Sequence, residues 1–269
     1  MVLAHRKLLA LSVIVAMVGV GLIVAAFATD HWITSSPKGN DTVHSNGTEK
    51  GGSASGYTAN ITFGLFTGYK LIDFGIGPRP SSLALRCNTS VKVCAYASKD
   101  DDADYTFADM VQDFKNQSGA NAKSMEWFGL FSFPLYVATL TMLVLAIVWG
   151  LVAIGFGVFN VFGRPIETIT GPAGLYVWNF QALLFSAAAI GVYLGLYFTQ
   201  LKVNLLTVQE LATFTSKDLT YLDMSFYFVV GAAGAFLLNL FVLLCSGQKC
   251  SCSYSRSGEK EVDSGMILY

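Results

Sequence analysis

The chain has 269 residues, 53% of them hydrophobic and 13% charged, with a net charge of −1 at pH 7 and a mean hydropathy of +0.52. Soluble domains carry about 25% Asp, Glu, Lys and Arg, so this composition excludes an ordinary soluble globule. The aliphatic and aromatic load excludes disorder, and the near-zero charge excludes a nucleic-acid partner.

Four runs contain no Asp, Glu, Lys, Arg or His: residues 8–29, 127–163, 168–201 and 224–248. A helix needs about 20 apolar residues, at ~1.5 Å each, to cross ~30 Å of hydrocarbon, and all four runs are long enough. Lipid offers backbone groups no partner, and the runs lack the alternation of a barrel strand, so four membrane helices are predicted. Before the first span, Arg6 and Lys7 with Ala26-Phe27-Ala28 form a signal-like pattern. Signal cores run for only about 7–15 residues, so the longer run at 8–29 reads as a retained span. The second run has a core at 133–157, with Trp127 and Phe128 as interfacial anchors. The third has a core at 173–198 and opens at Gly171-Pro172, where Thr170 caps and proline suits the first turn. Residues 164–167 then form a turn short enough to make spans two and three antiparallel neighbours.

The remaining segments are 1–7, a first loop at 30–126, a second loop at 202–223 and a tail at 249–269. The first loop exceeds the ~60 residues over which Lys and Arg counts report orientation, so charge is nearly silent. Sequons are informative instead. Asn40, Asn46, Asn60, Asn88 and Asn116 each begin an Asn-x-Ser/Thr triplet, all within the first loop, and none of the four asparagines outside it does. This confinement predicts an N-glycosylated, lumenal or extracellular first loop and cytosolic termini. Asn46, Asn60 and Asn88 are the better acceptors, since Asn40 and Asn116 lie nearest the membrane. Cys87 and Cys94 are the only cysteines of that loop, and an oxidising compartment would pair them. Cys245, Cys250 and Cys252, at the inner end of span four, are candidates for S-palmitoylation, with the reduced thiol as the alternative. A Cys-Ser-Cys pair without histidine is too thin for a zinc site.

Within the first loop, residues 35–56 are rich in Gly, Ser, Thr and Asn and read as a flexible, glycosylated segment. Period-two alternation predicts a strand over 57–66 and a second over 69–76. Leu83, Leu85 and Cys87, then Val91, Val93 and Ala95, alternate on either side of Asn88-Thr89-Ser90, which predicts a hairpin clipped by Cys87–Cys94. The acidic run at 100–104 reads as a solvated helix entry rather than a calcium site. Phe107, Met110, Val111 and Phe114, at i, i+3, i+4 and i+7, mark a short amphipathic helix packed on the sheet. The predicted fold is therefore a four-transmembrane-helix bundle with a small extracellular antiparallel β-sheet and a short helix.

No ionisable group falls inside a span, whereas membrane enzymes and proton-coupled transporters keep such groups for use. Catalytic residues, cofactors, metals and small-molecule substrates are accordingly not expected. Asn160, Asn179, Gln181 and Asn239 read as interhelical hydrogen bonders, and the small-residue stripes Gly21/Ala25, Ala187/Gly191/Gly195 and Gly231/Ala235 as close helix contacts. The ending Ile267-Leu268-Tyr269 fits the C-terminal pattern that PDZ domains accept. Expected partners are membrane lipid and other membrane or scaffold proteins.

Trp32 followed by Phe63-Gly64-Leu65-Phe66-Thr67-Gly68 resembles the tryptophan and Gly-Leu-Phe element of the clarins, tetraspan proteins related to the claudin-like set. Gly75 to Pro80, and Gly171-Pro172 leading to Trp178-Asn179, are similar to further clarin segments. Lys202, Leu206, Leu211-Ala212 and Phe214 resemble the clarin second-loop helix, Ser225-Phe226 the opening of span four, and Ile267-Leu268-Tyr269 the family ending. Loop one is longer and richer in sequons than in clarins, and Phe74 stands where some clarins have cysteine, so the Cys87–Cys94 pairing rests on composition alone. The resemblance implies a claudin-like tetraspan with a structural or adaptor role at plasma-membrane specialisations of sensory cells, such as hair bundles and synapses. Its alternatives are an accessory subunit of an ion channel and a claudin-type paracellular barrier or pore component.

Overall fold

The computed structural model describes residues 2–39, 57–75, 77–99, 106–117, 123–162 and 172–247. Asn40, Asn46, the acidic run at 100–104, the turn at 164–167, Gly171, Cys250, Cys252 and the terminal Ile267, Leu268 and Tyr269 lie outside them. In chain order the elements are α1 (Val2–Ala28), β1 (Ile33–Ser35), β2 (Lys38–Gly39), β3 (Tyr57–Phe63), β4 (Thr67–Phe74), β5 (Pro78–Asn88) and β6 (Val93–Ser98). There follow α2 (Phe107–Lys115), a 3₁₀ turn (Met125–Phe128), β7 (Phe131–Ser132), α3 (Phe133–Phe162) and α4 (Pro172–Leu196), which runs into a π turn (Tyr197–Leu201). The second loop supplies α5 (Val208–Leu211), β8 (Phe214–Thr215) and β9 (Thr220–Leu222), and α6 (Met224–Gly247) closes the described chain.

Four helical stretches are long and apolar enough to cross a membrane: Arg6–Ala28, Phe133–Phe162, Gly174–Leu201 and Met224–Cys245. The protein is a multi-pass membrane protein. α1 packs on α3 and α6, and α4 packs on the same two helices, so the bundle is a square in the order α1, α3, α4, α6. Among its described glycines, Gly150 and Gly157, two turns apart on α3, leave the least room for a side chain. A Cβ there would lie 2.5 Å from Val20 Cγ2 and 2.6 Å from Val13 Cγ2 respectively. The stripes expected to make such close contacts do not. Gly21, Gly191 and Gly195 face open space, and Gly231 meets only Leu22 at 3.4 Å. Four-residue spacing places small residues on one face without saying which face meets a neighbour.

The sheet is not small. It has nine strands in the order β7-β6-β5-β4-β3-β1-β9, with β2 and β8 paired to one side. Ser35, Lys38 and Gly39, expected in a flexible segment, belong to β1 and β2. The second loop, expected as a helix, is helical only over Val208–Leu211 and otherwise contributes β8 and β9. Both differences have one cause. β1 pairs with β9 because α1 and α6, which precede and follow them, are neighbours, and no local pattern carries that contact. Strands β3 to β6 do follow the alternation, ending at Phe63 rather than residue 66 because Gly64 turns the chain. Val91 sits in the β5–β6 turn, where Asn88 Oδ1 accepts from the Ser90 and Val91 amides at 3.0 and 3.2 Å. Cys87 and Cys94 are register partners and form a disulfide.

The inner face of the sheet, with Ala59, Ile61, Phe63, Ile72 and Leu83, closes on Leu206 and Phe214 of the second loop. On the outer face, α2 covers Val93 and Ala95 of β6 with Met110 and Val111, as its amphipathic spacing requires. Phe128 is buried in this cluster instead of anchoring an interface, because the 3₁₀ turn directs it under α2. Trp127 stays 43% exposed, with the Lys123 ammonium 3.7 Å from its ring centre.

Candidate functional site: the junction of sheet and bundle

The helices meet the sheet in a buried junction centred on Trp32. α1 ends at Ala28, leaving its last carbonyls without intrahelical partners. The Trp32 indole N–H fills one of these needs by donating to the Ala26 carbonyl at 2.7 Å, and the side chain is 1% exposed. Its backbone ties three units together. The amide donates to Phe63 of β3 at 2.8 Å, and the carbonyl accepts from the Asp223 amide, before α6, at 3.0 Å. Tyr193 from α4 meets the indole edge-on at 4.8 Å and Phe226 from α6 does so at 6.5 Å.

Gly64, Leu65 and Phe66 approach this centre from the sheet. A Cβ on Gly64 would lie 2.5 Å from Asp30 Oδ1 and 2.7 Å from Asp30 Cα, so only glycine lets the β3–β4 turn sit on the end of α1. Thr67 Oγ1 then donates to Asp30 Oδ1 at 2.6 Å. The Gly64 carbonyl accepts from Tyr96 Oη at 2.6 Å, and the Leu65 carbonyl from Tyr136 Oη of α3 at 2.8 Å. Burial first, with Tyr136 and Asp30 adding to it, pushes the Tyr96 hydroxyl far above the usual phenol range, so it remains a donor. Leu65 is 2% exposed, whereas Phe66 turns outward, 48% exposed, and stacks on Phe27 at 6.2 Å.

Each helix thus has its own tie at the junction. α1 uses Trp32 and α3 uses Tyr136. The end of α4 donates from Tyr197 Oη to the Thr220 carbonyl of β9 at 2.7 Å, and Gln200 Oε1 accepts from the Ser132 amide of β7 at 2.7 Å. α6 opens with Ser225, whose amide donates to His31 O at 2.9 Å and whose hydroxyl lies 2.7 Å from Thr29 Oγ1. Lys70 of β4 is paired with Glu210, which also caps α5, so the second loop is fastened to the inner face.

Trp32, Gly64 and Leu65 therefore meet at the junction, but Trp178 and Asn179 do not. Trp178 stacks on Trp149 at 5.3 Å and on Phe156 at 5.9 Å, between α3 and α4. Asn179 Oδ1 accepts from Asn239 Nδ2 of α6 at 2.6 Å, with both side chains buried. Asn160 bonds its own helix, donating to Phe156 O. Pro172 is the first residue of α4. Among the sequons, Asn60 is exposed in mid-strand of β3, Asn88 closes β5, and Asn116 caps the C-terminus of α2. Cys245 is exposed near the end of α6. The sequence reading missed Tyr96, Tyr136, Tyr193, Tyr197 and Gln200 as junction residues. Three of the tyrosines lie in the runs read as spans, where an aromatic reads equally well as a bilayer anchor.

Among the described residues there is no cluster of His, Cys, Asp or Glu able to hold a metal. No curated protein matches the chain. The family model described as Clarin-2, Clarin-2-like, matches residues 130–243, a stretch that holds Tyr136, Tyr193, Tyr197, Ser225 and Phe226 but not Trp32 or Gly64. Over that stretch, which spans α3, α4, the second loop and most of α6, the chain is similar to the clarin family.

Proposed function

We propose that the chain is a non-enzymatic structural or adaptor protein of the plasma membrane, with the β-sheet domain outside and both termini in the cytosol. In this reading it serves membrane specialisations of the sensory hair-bundle or synaptic kind, linked to the cytoskeleton through partners of its tail. The similarity to the clarin family over residues 130–243 supports the class, and the confinement of five sequons and a disulfide to one loop supports the orientation. The observation that carries the reading is the set of ties that gathers all four helices at their junction with one sheet. Such a joint passes a load or a binding event on the ectodomain into the bundle, where a hinge would absorb it. Palmitoylated Cys245, Cys250 and Cys252 would hold the inner end against the lipid, and Ile267, Leu268 and Tyr269 would engage a PDZ scaffold.

Affinity purification of the full-length chain, with and without residues 267–269, tests the role. Adhesion and scaffold proteins that depend on the last three residues are the expected catch. A single stoichiometric channel would replace this reading with that of an accessory subunit, and cell–cell strands in non-adherent cells would favour a claudin-type barrier. Glycosidase digestion tests the orientation: the chain should run faster after treatment, and terminal tags should stay unreachable on intact cells.

A further inference from the structure

On the outer face of the sheet α2 covers β6, while Asn60 of β3, Tyr69 of β4, Ser82 of β5 and Tyr221 of β9 are exposed. Register assigns its side chains. Tyr221 of β9 pairs with Thr34, Thr34 with Thr62, Thr62 with Tyr69, and Tyr69 with Ser82; in the adjacent row Asn60 pairs with Leu71, and Leu71 with Pro80. These two rows carry no charge, yet Tyr69 is 48% and Tyr221 58% exposed. Exposed aromatic rings of this kind offer a seat to the apolar edge of a ligand. Here the chain supplies one at the middle of the face. Asn60 is exposed, and Thr62, the hydroxyl residue of its sequon, points to the same side. Tyr69, on the neighbouring strand, is the diagonal partner of Asn60, a separation of about 7–8 Å that the first sugars of an N-glycan easily bridge.

We propose that the N-linked glycan of Asn60 lies back over the outer face of the sheet, its core sugars seated on Tyr69 and Leu71. The sugar ring's C–H edge meets the phenol ring and the leucine, while its hydroxyls reach Thr62 and Ser82. The glycan then acts as an outer layer over Tyr69 and Leu71, shielding them from a second copy of the chain. The inference rests on the proposed orientation, because only a loop in the secretory lumen can be glycosylated.

The full-length chain expressed in mammalian cells tests it, with variants that retain one sequon each and with Tyr69→Ser. Asn60 alone should give a one-glycan mobility shift that digestion removes. Thermal unfolding in detergent should fall by about 3 °C when the Asn60 glycan is lost through Asn60→Gln or Thr62→Ala in the Tyr69 background, and should barely change in the Tyr69→Ser background. Occupied Asn88 or Asn116 with unoccupied Asn60 overturns this proposal and leaves the orientation standing. No occupied sequon at all overturns both. Equal losses in the two backgrounds refute the seating on Tyr69. A glycosylated dimer that dissociates in Tyr69→Ser would put a second copy on the face instead.

Discussion

Trp32 illustrates how much one side chain can join. Its indole caps α1 while its backbone holds β3 and the start of α6. Trp32→Phe should keep most of the packing but orphan the Ala26 carbonyl, at a cost of about 1–2 kcal/mol in thermal unfolding of the purified chain. Gly64→Ala forces a Cβ into the Asp30 backbone and should cost about 1–3 kcal/mol, with the loss appearing first in the β3–β4 hairpin by hydrogen exchange. Both residues were legible in the sequence as motif positions. Their reasons were not, since Asp30 is separated from Gly64 by 34 residues and meets it only in the folded state.

For single elements, contact depends on which face of a helix is turned inward. Gly150→Ala should destabilise the α1–α3 contact by about 1–3 kcal/mol, because a helix holds β-branched Val20 strongly to one χ1 rotamer and moving Cγ2 aside means leaving it. Gly191→Ala, facing open space, should change the melting temperature by no more than the effect of about 0.5 kcal/mol. The two substitutions look alike in sequence, and paired melting curves separate them. α2 is more transparent, since its start and its face are both written locally. Thr106 caps it, and Asp109 returns the bond: its Oδ2 accepts from the Thr106 hydroxyl at 2.6 Å and from the Thr106 amide at 2.8 Å. The Thr106 hydroxyl first, and the amide second, hold the Asp109 carboxyl below the usual carboxylate range. A carboxyl lowered in the folded state stabilises above its unfolded value, and that contribution disappears as pH falls through the folded one. Thr106→Ala should therefore speed amide exchange across Phe107–Lys115 roughly fivefold at neutral pH, and the difference should shrink as Asp109 protonates.

As a whole, the molecule is a square of helices with a sheet riveted across one end. Tyr136→Phe removes one rivet while leaving the ring in place. It should cost about 1 kcal/mol, and more in combination with Tyr197→Phe than the two single losses together if the ties share the load. The measurement is exchange protection of β3 to β5 against that of α3 and α4: the sheet should loosen while the helices keep their protection.

Four spans, the strands β3 to β6, the face of α2 and the choice of cysteine pair were all determined by the sequence alone. Each depends on a period or an absence of charge within a few dozen residues, and lipid allows uncharged runs of that length one backbone solution. The tertiary structure decided the rest: the extension of the sheet through β1, β8 and β9, the burial of Phe128, the glycines that bring helices together and the tyrosines that fasten them to the sheet. These follow from which helices are neighbours. That choice is made by side-chain packing between segments far apart in the chain, and neither composition nor periodicity records it.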